Sequence, residues 1–134
     1  MNITEDYVSF EIAKLLKEKG FDEKVSTHYL VHPSGFSEFF DKKDEFPELE
    51  DVWLKCPTHQ MAMKWLREVH KISIDICTVQ GKKVSYMFNI WDFSNIYDNK
   101  YIGGTFDLRE QLYDFKTYEE AAEAACLYVL KNLI

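Results

Sequence analysis

The stretch CPTHQMAMKWLREVHKISIDI, Cys56 to Ile76, contains two hydrophobic periods in immediate succession. Met61, Ala62, Trp65, Leu66 and Val69 recur at spacings of one and of three or four residues, while His59, Lys64, Arg67, Glu68 and His70 lie off that stripe. This is the pattern of an amphipathic helix, and Thr58 stands where an N-cap belongs. From Ile72 the period becomes two: Ile72, Ile74 and Ile76 alternate with Ser73, Asp75 and Cys77, as in a strand buried on one face. A helix running directly into a half-buried strand calls for a core shared by helices and a sheet.

Downstream, QGKK makes a tight turn into VSYMFNIWD, with Val84, Tyr86, Phe88 and Ile90 on one face and Ser85, Met87, Asn89 and Trp91 on the other. The two strands are expected to form an antiparallel hairpin. FSNIYDNKYIGGTFD reads as loop with a short strand at Tyr101 to Phe106, its glycine pair serving a turn or bulge, and LREQLYDF as a last strand. TYEE is a capping box: Thr117 should accept from the amide of Glu120 while the Glu120 carboxylate returns to Thr117. The helix that follows, AAEAACLYVLKNLI, is apolar nearly all round and should pack against the sheet and against another helix or a partner.

Upstream, Val8, Ile12, Leu15 and Leu16 mark a helix over residues 5–19, ended by Gly20 with Phe21 folding back on Leu16. Lys24 to Val31 reads as a strand broken by HPSG. The segment 33–55 carries six acids between Asp41 and Asp51 without a sustained period; it reads as a long loop tacked to the core by Phe39, Phe40, Phe46 and Trp53. The expected fold is a single α+β domain over 1–134: a small antiparallel sheet of about three to five strands, with about three helices mainly on one face.

At 134 residues the chain is long enough to bury a core without staples. Aromatic residues reach 16%, which points to a core and sheet rich in large side chains. The net charge of −7 is spread evenly, and arginine occurs only at Arg67 and Arg109. Phosphate recognition needs clustered Lys and Arg, so direct nucleic-acid binding is disfavoured. Three cysteines without a close pair argue for reduced thiols in a cytoplasm. The N-terminal stretch carries acids and no uninterrupted apolar run, so neither a signal peptide nor a membrane association is expected.

No cofactor and no metal are expected. On a helix His59 and His70 would be about 16 Å apart, too far to share an ion. Cys56 with His59 gives two ligands where a zinc site needs three or four. His28 and His32 have the ligand spacing of a helix, but on a strand they lie about 13 Å apart. Cys77 and Cys126 lack the surroundings of a nucleophile, and IGG at 102–104 lacks the lysine of a phosphate loop.

Three blocks, VSFEIAKLLKEKGF, PTHQMAMKWLREVHKISIDI and TYEEAAEAACLYVLKNLI, resemble small uncharacterised proteins of gut Bacteroides genomes and their phages or mobile elements. The blocks cover roughly 50 of the 134 residues; the chain departs from the pattern between His32 and Trp53 and in FSNIYDNKYIGGTF. The resemblance brings no activity or catalytic residue. It implies an intracellular accessory protein of α+β type, phage-derived.

The preferred reading is a non-enzymatic module that binds another protein, or itself, through the second face of the hairpin, with Met87, Trp91, Tyr97 and Tyr101 as the contact residues. Its rival is a small enzyme or ligand-binding domain using Cys56, His59 or His70 with the acidic loop. A third reading is an acidic inhibitor that mimics DNA, which requires one face lined with carboxylates.

Overall fold

The computed structural model describes residues 3–31, 37–40 (main chain only), 53–81, 83–105 and 114–134. Of the segment 33–55, expected as a loop, residues 37–40 and 53–55 are strands instead, because both pair with His28–Val31, while 33–36 and 41–52 lie outside the described residues, as do His32 and all but the end of the strand expected at Leu108–Phe115. In chain order the elements are α1 (Phe10–Glu18), β1 (His28–Val31), β2 (Ser37–Phe40), β3 (Trp53–Lys55), α2 (His59–His70), β4 (Ile72–Val79), β5 (Ser85–Asp92), β6 (Lys100–Gly104) and α3 (Tyr118–Asn132). The class is α+β: the described residues form three helices and two antiparallel sheets ordered β2-β1-β3 and β4-β5-β6.

Helix α1 starts later than the expected residue 5. Ser9 is its N-cap, accepting from the Ile12 amide, and the preceding residues are extended because residues 57–59 claim their main chain. The Val8 amide donates to the Pro57 carbonyl and the His59 amide to the Asp6 carbonyl, both at 3.0 Å. These bonds hold the start of α1 beside the start of α2. The far end of α1 stops as expected: Gly20 sits at φ 93°, a left-handed conformation costly for any residue with a Cβ. The Phe21 amide reaches the Leu16 carbonyl at 2.9 Å and the Gly20 amide that of Lys17 at 3.1 Å, the paired bonds of a Schellman stop.

Thr58 caps α2, accepting from the Met61 amide at 3.1 Å. The buried face of α2 differs from the expected stripe. His59, Ala62, Met63, Trp65 and Leu66 are buried, whereas Met61 and Val69 are exposed. The stripe is therefore turned toward the row 59, 62–63, 66, and it takes in a histidine that polarity alone had placed outside. A single left-handed residue, Lys71, then turns the chain straight into β4.

β4 and β5 form the expected hairpin, in register from Ile72 opposite Asp92 to Val79 opposite Ser85. Ile72, Ile74, Phe88 and Ile90 enter the core, and Phe88 stacks on Phe115 with centroids 6.1 Å apart. β6 adds to β5 with a register shift between Ile90 and Trp91, where Gly103 at φ 152° supplies the irregularity expected of the glycine pair. Phe115, the end of the expected last strand, forms a single bridge with Tyr86.

Thr117 caps α3 through the Glu120 amide, but the return bond differs: the Glu120 carboxylate accepts from the amide of Lys116, one residue before the cap, at 3.2 Å. α3 packs on β4, β5, α1 and α2, burying Ala121, Ala122, Ala125, Cys126, Val129 and Leu130. The side it leaves open carries Glu123, Ala124, Leu127 and Tyr128.

Candidate functional site

Two surfaces carry concentrated chemistry. The first is the outer face of β4-β5-β6, where the contact residues were expected. Strand alternation puts Met87, Asn89 and Trp91 opposite Phe88 and Ile90. The Trp91 ring lies 4.9 Å from that of Tyr101 and 6.4 Å from that of Phe93. The Tyr101 hydroxyl donates to Asn89 Oδ1 at 2.8 Å, and Asn89 Nδ2 points on to Cys77 Sγ at 3.7 Å. Polar links thus hold the aromatic rings in place. The connection after β5 begins with an Asx turn, the Ser94 amide donating to Asp92 Oδ1 at 2.8 Å, and the Ser94 hydroxyl and amide hold the Asp92 carboxyl below its ordinary value. Beyond it Tyr97 is 93% and Ile96 80% exposed, so Tyr97 does not cover Trp91. Phe93 and Tyr101 are also exposed.

The second surface was not foreseen. A groove of about 740 Å³ runs between the open side of α3 and a wall formed by Tyr7, Val8, Ser9 and Tyr29, with His59 and Phe115 also lining it. Glu123 stands in this groove. His59 Nε2 donates to its Oε2 at 2.5 Å, and the Ser9 amide reaches its Oε1 at 3.3 Å. Burial alone would raise the Glu123 carboxyl, but the bonds from His59 and Ser9 outweigh it, and the net shift is downward from 4.5. The carboxylate is therefore ionised at neutral pH. His59 is only 7% exposed, and its Nδ1 is buried without a hydrogen-bond partner.

Behind the groove, the Val8 carbonyl accepts from the Tyr29 hydroxyl at 2.9 Å and from the Cys56 thiol at 3.4 Å. Burial pushes Cys56 up to about 12 and raises Tyr29 further, so both stay protonated at neutral pH. A buried neutral thiol committed to a carbonyl is a packing group and not a nucleophile. Cys126 is likewise pushed up to about 12 by burial.

Two residues of the enzyme reading, His59 and His70, are separated: His59 meets Glu123, while His70, at the other end of α2, packs edge-on to Trp65 with centroids 4.7 Å apart, and the acidic loop of that reading lies outside the described residues. His28 begins β1 and lies edge-on to Trp53 at 6.0 Å. Among the described residues no three His, Cys, Asp or Glu side chains gather as a metal site, and no helix is long and apolar enough to cross a membrane.

Glu123 was the missed residue. Its signal was available as the lone charge in AAEAAC, a carboxylate in an otherwise apolar helix body, which needs a partner if it is buried. No family model, curated protein or solved structure matches the chain.

Proposed function

We propose that this chain is a non-enzymatic protein-binding module that engages a partner through the outer face of β4-β5-β6. One observation carries the reading: Trp91, flanked by Tyr101 and Phe93, forms an aromatic patch, and Ile96 and Tyr97 stand exposed on the connection that follows it. Trp and Tyr held rigid by their neighbours lose little conformational entropy on binding and dominate the energetics of protein interfaces. Met87 adds an adaptable apolar side chain to the same face.

Charge selects the kind of partner. Asp75 and Asp98 are exposed and Asp92 partly so, and Lys83 and Lys100 offset them only in part on the same sheet and its turns. The whole chain carries −7, so pairing two copies brings like charges together. The partner is a different protein, with an apolar patch inside a basic rim. The same proposal takes the chain to be a phage-derived accessory protein, on its sequence resemblance to proteins of gut Bacteroides and their phages or mobile elements.

The test has two arms. Sedimentation velocity at high concentration should show a monomer. A pulldown from the encoding organism's cytoplasm at low salt should give one stoichiometric partner that is lost with Trp91→Ala and Tyr101→Ala and weakened by salt. Capture unchanged by both substitutions in folded protein, or no partner at all, overturns the reading.

A further inference from the structure

The groove along α3 lies on the helix side of the sheet and takes no part in the interface proposed above. Its volume of about 740 Å³ falls within the range of small-molecule sites, about 300–1,000 Å³. Most of its wall is apolar or aromatic: Tyr7, Val8, Phe115, Ala124, Leu127 and Tyr128. Carboxylates outnumber the cations among its charged groups. Glu123, 30% exposed at the side chain, keeps acceptor capacity beyond the bonds from His59 and Ser9. His59 donates through Nε2, because an ionised carboxylate can only accept, and its Nδ1 is buried and unpartnered.

Charge points the same way. Glu119, Glu120 and Glu123 line the groove, and the cation there, Lys131, is engaged by Glu11 at 2.9 Å. An anion would be repelled. A purely apolar ligand would strip water from the Glu123 carboxylate without replacing its hydrogen bonds. A donor-bearing cation satisfies the carboxylate, and the aromatic ring of Tyr128 lines the same groove.

We propose that this groove is a binding site for a small organic ammonium ion, its charged head on Glu123 and its apolar body along the Leu127–Tyr128 side of α3. The argument rests on the concavity, the oriented carboxylate and the buried His59 together.

The full chain is titrated at neutral pH with 2-phenylethylammonium, the neutral 2-phenylethanol and the anionic 3-phenylpropanoate, followed by calorimetry and by amide shifts of Ser9 and α3. The ammonium probe should saturate, with the alcohol about tenfold or more weaker, a gap of about 1.4 kcal/mol, and the carboxylate without effect. Glu123→Gln should weaken the ammonium at least about tenfold. Ala124→Lys, on the half-buried rim, places a tethered ammonium in the groove and should block the probe while the amide spectrum stays folded. Equal affinity for the three probes, full affinity in either folded variant, or no saturable shift with the ammonium overturns the proposal.

Discussion

The aromatic sheet face and the acidic groove are built over different distances along the chain. On the sheet face the tie between Tyr101 and Asn89 spans 12 residues, all within one antiparallel meander. In the groove His59 and Glu123 are 64 residues apart, and Ser9 and Glu123 114. The face follows from strand alternation and local pairing. The groove exists only once α1, β1, α2 and α3 have met, so its carboxylate is stabilised by tertiary contact alone. The two surfaces also differ in chemistry: one offers flat aromatic area, the other a half-buried carboxylate in a concave, largely apolar wall.

The largest expected effect breaks both surfaces at once. Phe88 is fully buried beneath the sheet face and stacks on Phe115 of the groove wall. Phe88→Ala should cost about 3–5 kcal/mol, read from the urea midpoint. A loss below about 1 kcal/mol would show that the two surfaces do not share this core.

Glu123→Ala separates the surfaces. It leaves His59 buried without its acceptor and should cost about 1–3 kcal/mol, with amide shifts confined to the groove. The pH dependence has a definite sign. The folded Glu123 carboxyl lies below its ordinary 4.5, so the stability linked to it is present above about pH 4.5 and is lost as pH falls through the lower, folded value. Urea midpoints across that range should fall for the native chain, and the Glu123→Gln midpoints should fall less. Parallel curves would mean that Glu123 titrates alike in folded and unfolded chains.

Tyr101→Phe is the smallest and most local change. It removes the hydroxyl that donates to Asn89 and should cost about 0.5–1 kcal/mol, because both partners are near water. Groove amides should not move. Shifts at Ser9 or Glu123 would show the surfaces to be coupled through β5.

Much of the scaffold was legible in the sequence because it is local. The change of period at Ile72, the caps Thr58 and Thr117 and the stop at Gly20 and Phe21 are set by residues within a turn or two of one another. The strands' outer face, with Met87 and Trp91, follows from a period of two. Where the reading missed, the competing interaction came from afar. Residues before Ser9 continue the helical pattern, yet Pro57 and His59 take their hydrogen bonds and hold them extended.

The same contrast governs His59. The sequence determined that Thr58 begins a helix and that His59 occupies its first turn; it also determined that α3, beyond the two acids of its first turn, is apolar around a single acid. Only the tertiary structure decided that these two polar residues face each other inside the protein. The physical reason lies in the cost of burial. An imidazole and a carboxylate leave water only where each offers the other a bond, and that offer depends on where two helices dock rather than on the residues flanking either one.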